Sequence, residues 1–341
     1  MSYKISGVEF LKDDGTVAAF QNVTVENFFV FSKGIGTDTT RGYTCGGFNS
    51  PSSARDTIDK YPFANLNLDA SDVGELTQAR SNVVTAGSST HGYCSGGQIP
   101  TSTVRNTIDK FSFATDGDAT DVGDLTASRR NSGGNQDGNK LNNTTGFVTG
   151  GQNTPSGSPT FFNIIDSFPF ASDANATDAG DLGTTVRQHA SQSSETHAYS
   201  SGGAEPSPAN TNEIQRFPFS STNTSSDVGD LTQARRSRGM SSDANGYSAG
   251  TVDSPQSNAV IDKYPFSTNA NATDVGDLIN TNIAGTGNGA SSEDYGYQAG
   301  GTPPSPGGQN IIQRFSFVTD GNATDVGNLS QTRGYTGGVQ G

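Results

Sequence analysis

The stretch Thr57–Phe63, TIDKYPF, returns as VIDKYPF at 260–266. Near-copies stand at 107–113 (TIDKFSF), 164–170 (IIDSFPF), 213–219 (EIQRFPF) and 311–317 (IIQRFSF). In every copy two aromatics stand two residues apart, which puts them on one face of a strand, while Ile58 and Lys60 of the first copy point the other way. The pairs are Tyr61 and Phe63, Phe111 and Phe113, Phe168 and Phe170, Phe217 and Phe219, Tyr264 and Phe266, and Phe315 and Phe317. Six more aromatics follow the first residue of GYTCGG, GYCSGG, GFVTGG, AYSSGG, GYSAGT and GYQAGG. Together these positions hold 18 of the 29 Phe and Tyr residues, so the aromatics read as core placed by a repeat.

Two further phrases keep the same phase. DVGEL at 72 recurs as DVGDL, DAGDL, DVGDL, DVGDL and DVGNL, and an arginine follows: Arg80, Arg129, Arg187, Arg235 and Arg333, with Asn282 near that place in the fifth unit. Each unit is thus about 50 residues with four short segments, punctuated by Gly, Pro, Asn and Asp, which reads as strands and turns. No stretch carries a sustained 3.6-residue period with caps, so no helix is expected. Four strands per unit and six units in one phase predict an all-β fold, a six-bladed β-propeller with four-stranded blades.

The last residues, TRGYTGGVQG, are an arginine and a lone first segment. Residues 333–341 are therefore expected to pair with 42–47 as the inner strand of blade one, with FVFSKGIG from Phe29 as the alternative donor. The propeller is expected over 34–341. Residues 1–33 lack the repeat, and Phe10, Phe20, Phe28, Phe29 and Phe31 make them apolar for this chain. The alternation in VTVENFFVF reads as strand, and the segment as a β attachment element or as a cover for the propeller's own rim.

The net charge of −14 disfavours nucleic acid as a partner, because an acidic surface repels phosphates. No apolar run approaches the roughly 20 residues of a spanning helix, so no membrane insertion is expected. The start lacks the apolar core of a signal peptide, which points to synthesis in the cytoplasm of the producing cell. Cys45 and Cys94 lie in equivalent strands one residue out of step. Strand neighbours face opposite ways, so two free thiols are expected rather than a disulfide. Asx-rich turns such as ATDGDATD at 114 read as backbone-capping turns, with a calcium loop as the rival.

No phosphate-loop motif is present. His91, His189 and His197 are scattered and read as surface residues. The recurrent Asp72, Asp121, Asp178, Asp227, Asp274 and Asp325 repeat with the units, so they read as structural, capping turns or bridging blades. The expectation is no enzyme, no cofactor and no metal. Recognition is expected where the repeats differ, in the loops between the second and third segments. Candidate ligand contacts there are Asn153, Phe161, Phe162, Arg55 and Arg105. Stacking of Phe161 and Phe162 on a sugar is weighed against their burial as an extension of the third strand.

The order arginine, strand, GYxxGG, strand, IDKYPF, strand resembles the kelch repeat over roughly 34–341, although the kelch tryptophan is replaced by VGDL. GYCSGG, TIDKFSF and ATDVGDLT together look like propeller-like repeat proteins of tailed, especially marine, bacteriophages. The opening MSYKISGVEFLKDDGTVAAFQNVT resembles the first residues of phage tail-fibre and other virion proteins. The resemblance implies a virion structural protein on the tail or tail fibre, in several symmetric copies, joined to other virion proteins through its N-terminal segment and displayed for binding host-surface polysaccharide. A head-decoration or architectural subunit and a glycan-cleaving enzyme are the alternatives.

Overall fold

The computed structural model describes residues 3–5, 8–11, 40–49, 53–63, 69–137, 143–154, 159–206, 210–221, 224–250, 259–279, 288–301 and 309–341. The chain divides into two units, 1–36 and 37–341. In the first, Tyr3–Ile5 and Val8–Leu11 form an antiparallel hairpin. Phe20, Phe28, Phe29 and Phe31 lie outside the described residues.

The second unit is a ring of six antiparallel four-stranded sheets, a β-propeller. Blade 1 runs outward from Gly337–Gln340 through Arg41–Cys45 and Thr57–Pro62 to Ser71–Glu75. Blades 2 to 6 occupy 84–124, 133–181, 190–230, 238–277 and 290–328, each in chain order from the axis outward. The C-terminal strand takes the innermost position of blade 1, with Gly337 opposite Cys45 and Gln340 opposite Gly42.

The repeated aromatics build the joints between blades. Tyr43 of blade 1 stacks on Phe113 of blade 2 at 5.0 Å, and Tyr93 of blade 2 on Phe170 of blade 3 at 4.6 Å. The contact recurs around the ring as Phe147–Phe219, Tyr199–Phe266, Tyr247–Phe317 and Tyr297–Phe63. All five tyrosines donate their hydroxyl to the carbonyl of the phenylalanine they stack on, so the polar end of each buried ring is satisfied. The first aromatic of the phrase fills the space over its own blade: a Cβ at Gly42 would collide with the ring of Tyr61. That is why a glycine precedes the tyrosine.

The DVG phrase is a β-bulge. Ile58 faces Gly74 and Asp59 faces Asp72, so Val73 is the extra residue. Asp72 Oδ1 accepts the Gly74 N–H across it, and Asp121, Asp178, Asp227, Asp274 and Asp325 do the same in their blades. These six carboxylates thus each cap the bulge of their own blade. Pro62 ends its strand, and the irregularity lies at Ile58/Asp59 instead.

The bridge is the aspartate inside the opening phrase. Asp59, Asp109, Asp166 and Asp262 are fully buried, each paired with the arginine that enters its blade: Arg333–Asp59 at 2.8 Å, Arg80–Asp109 at 2.6 Å, Arg129–Asp166 at 2.5 Å and Arg235–Asp262 at 3.0 Å. The same carboxylate accepts the N–H that follows the preceding blade's buried leucine, on Ser330, Thr77, Thr126 and Thr232. Burial lowers the pKa of Arg129, Arg235 and Arg333, and the neighbouring carboxylate opposes that shift.

Two joints lack the ion pair. Where blade 3 meets blade 4 the arginine position is Val186, and the aspartate position is Gln215. Gln215 Oε1 still accepts the corresponding N–H, from Gly183. Where blade 5 meets blade 6, Gln313 accepts the N–H of Ile279. Asn282, at the arginine position there, lies outside the described residues. Charge is removed from both sides of a joint together, as the cost of a lone buried ion requires.

Cys45 and Cys94 are both free and buried in one cluster with Tyr43, Phe111 and Phe113. Being one residue out of step does not separate them. One face of blade 1 meets the opposite face of blade 2, so the offset points both thiols into the same joint. Hydrogen bonding to Cys94, then burial, pushes the Cys45 thiol up.

Candidate functional site

The inner strands of neighbouring blades pack backbone to backbone around the axis. A Cβ at Gly239 would strike the backbone of Ser191, and one at Gly134 the carbonyl of Thr85. Asn288, entering blade 6, reaches across the axis and donates to the carbonyls of Gly134 (2.5 Å) and Thr85 (3.4 Å). Two separate cups remain, one at each end.

At the end where inner strands turn into second strands, the cup is about 280 Å³ and lined by serines and amides, with Glu195 and Asp243 at it. Side chains there satisfy backbone donors of the next blade: Gln136 N–H donates to Ser193 Oγ, Ser193 N–H to Ser241 Oγ, and Ser241 N–H to Ser291 Oγ. Its polar groups are largely spent on the ring itself.

The opposite cup, about 400 Å³, opens on the face that carries the loops between second and third strands. Asn82, Asn131, Gln188 and Tyr335, each just before an inner strand, adopt left-handed backbone with φ between 54° and 60° and are linked blade to blade. Asn82 N–H donates to Tyr335 O, Asn131 N–H to Asn82 O, and Gln188 N–H to Asn131 O. Immediately before that position stand Arg130, Arg187 and Arg236, in the turns entering blades 3, 4 and 5, and all three line the cup. Arg130 donates to Gln98 Oε1 and Arg236 to Gln188 Oε1, both at 2.8 Å. The Arg187 guanidinium lies 5.2 Å from the centre of the Phe161 ring. Across from them Phe48 and Tyr335 stack at 4.9 Å.

Arg187 therefore does not belong to the buried arginine series in which the spacing placed it. The buried series stands four residues after Leu76, Leu125, Leu231 and Leu329, whereas Arg187 stands five after Leu182, behind Val186. Reading the arginines as one repeated position concealed the cluster. The signal was legible: the doublets Arg129–Arg130 and Arg235–Arg236, and the one-residue offset in the third unit. Burial lowers all three, Arg130 to about 10; Arg187's charge adds to the lowering of Arg130 and Arg236. Among the described residues that line this cup there is no Asp or Glu.

The candidates chosen from sequence surround the cup without lining it. Asn153 closes its own loop, its Oδ1 accepting the Thr160 N–H. Phe161 and Phe162 are half-buried; Phe161 bridges to Gln152 and carries Arg187 over its ring, and neither extends the strand, which starts at Ile164. The carbonyls of Arg55 and Arg105 accept the N–H groups of Arg80 and Arg129, so these residues clasp loop to turn.

His91 and His197 occupy equivalent positions, each ring on the preceding threonine hydroxyl at 2.8 Å. His189 is not a surface residue. It is fully buried against Thr149 Oγ1 at 2.9 Å, and burial, helped by the Arg129 charge, lowers its pKa to about 3. The folded protein holds it neutral, while the unfolded chain takes a proton below about pH 6.5. Stability should therefore fall as pH drops from 6.5 toward 3, by about 1.4 kcal/mol per pH unit for this group. Urea unfolding of wild type and His189→Gln at pH 6.5 and 4.5 isolates it: wild type should lose about 2 kcal/mol more than the variant, and equal losses would refute the assignment.

Among the described residues no three His, Cys, Asp or Glu side chains converge to hold a metal. In the ATDGDATD turn Asp116 pairs with Lys60 and Asp118 accepts the Glu75 N–H, so both acids tie blade 2 to blade 1. No protein-family model matches the chain, and no curated protein matches it.

Proposed function

We propose that this chain is a non-enzymatic structural protein of a bacteriophage virion, associated with the tail or tail fibre, whose propeller binds host-surface glycan. The fold is compatible with a binding or structural role, and the repeats and the first residues resemble phage virion proteins. The observation that carries the reading is the place where six-fold regularity breaks. Three arginines from three consecutive blades line one cup, on the face that bears the divergent loops. A rigid ring that varies its loops and one end of its axis is built as a display platform. The described lining of the cup offers no carboxylic acid for glycosidic proton transfer, which favours binding over cleavage.

The test has two parts. Purified protein should bind host cells and their surface polysaccharide without releasing reducing ends. Quantitative mass spectrometry of particles that carry it should count a few copies per tail. Hundreds of copies would move the reading to head decoration, and sugar release would make it an enzyme.

A further inference from the structure

We propose that the arginine-lined cup binds the carboxylate of an acidic sugar residue, Arg130 and Arg187 gripping the carboxylate and the Phe48–Tyr335 pair forming the apolar wall against the sugar ring. The inference rests on the glycan-binding reading above and names its ligand class.

Two observations converge. The chain is strongly acidic, with 34 Asp and Glu against 20 Lys and Arg, yet three arginines are held together and half-buried in this cup. Neither Arg130 nor Arg187 has a carboxylate partner among the described residues, although each arginine of the buried series has one. Guanidinium groups crowded in this way repel one another, an arrangement that a bound anion relieves. A planar fork also matches a carboxylate in two-point contact.

The cup's other wall favours a sugar over a bare ion. Phe48 and Tyr335 are half-buried, and Ile99 and Pro100 add apolar surface. Asn82, Gln98 and Gln188 supply amides suited to ring hydroxyls. About 400 Å³ accommodates one or two sugar residues. A nucleic-acid phosphate chain fits less well, because the acidic surface around one small cup would repel its extended backbone.

Calorimetric titration of the full-length protein with glucuronate, galacturonate, N-acetylneuraminate, glucose, acetate, inorganic phosphate and a short single-stranded oligonucleotide tests this. At least one carboxylated sugar should bind, more tightly than glucose and acetate. Arg130→Gln and Arg187→Gln should each weaken it on the order of 10- to 100-fold. Arg187→Lys, which keeps charge but not the fork, should also weaken it. The melting temperature of Arg187→Gln should stay level or rise, because a repulsive contact is removed, whereas a merely structural arginine would lower it; Arg130→Gln also gives up the hydrogen bond to Gln98 Oε1 and is judged by its binding.

Equal binding of glucose, tightest binding of phosphate or oligonucleotide, no binding of any acidic sugar, or unchanged binding by the variants each overturns the proposal. Host-cell binding separates the two readings. Wild type that binds acidic sugar but no cell refutes the glycan-display function alone, and variants that still bind cells as wild type does refute the cup alone.

Discussion

Asp166→Ala should destabilise the ring by about 3–5 kcal/mol, because it strands the Arg129 guanidinium in a fully buried joint. The loss exceeds that of one hydrogen bond. Asp166 accepts from Arg129, from Thr126 N–H at 2.9 Å and from Thr126 Oγ1 at 2.6 Å, so one truncation takes an acceptor from three donors between blades 2 and 3 and leaves Arg129 only carbonyl partners. The chain also contains its own remedy. The joint between blades 3 and 4 holds Val186 and Gln215 in these places, with Gln215 Oε1 on Gly183 N–H and Gln215 Nε2 on Thr184 Oγ1. The double replacement Arg129→Val with Asp166→Gln should therefore recover most of the stability that Asp166→Ala loses. Chemical unfolding of the single and double variants measures the coupling. A double variant as unstable as Asp166→Ala would show that the joints are not interchangeable.

Ending the chain at Gly334 should abolish cooperative folding of the propeller. Blade 1 would lose its inner strand and expose the edge of Arg41–Cys45 to the axis. Val339 would leave the cluster around Tyr43 and Phe113, and Thr85 Oγ1 would lose the Gly338 carbonyl that it contacts at 2.5 Å. The N–H groups of Thr40 and Arg41 both donate to the carbonyl of Gly341, so even the last residue is engaged. Calorimetry of the truncated chain should show no sharp transition, and a peptide of residues 333–341 added in trans should restore one. A truncated chain that melts within a few degrees of the full one would show that closure by this strand is dispensable.

The architecture was legible because packing in a ring repeats, and repetition survives in a single sequence. The aromatic pairs, the glycines beside them and the DVG bulges each serve one local geometry six times over. What stayed hidden were contacts between units. Alternation alone puts Asp59 on the face of Tyr61 and Phe63, but its meaning depends on Arg333, 274 positions away in the chain and one blade back. Cys45 and Cys94 are free thiols as expected, but strand parity alone did not show that they share one joint, since parity becomes informative only once blades face each other. Arg187 was hidden differently. One residue of slippage within a repeat looks like noise until the leucine before it fixes the register. The loops at 155–158, 207–209, 251–258 and 302–308, where recognition was sought, lie outside the described residues.

The buried ion pairs bear on how such a chain can be lengthened, shortened or shuffled. Three of the four arginines share one continuous stretch with their aspartate, as with Arg80 and Asp109 or Arg129 and Asp166, while Arg333 and Asp59 are joined only by ring closure. A segment exchanged from arginine to the next buried leucine, 80–125 for example, carries both charges with it. A segment exchanged from one GY phrase to the next separates them and leaves a buried arginine facing a glutamine, or an aspartate facing a valine. The exchangeable module of this propeller is therefore the blade together with the turn that enters it, and chimaeras that keep this turn should fold where those cut at the GY phrase should not.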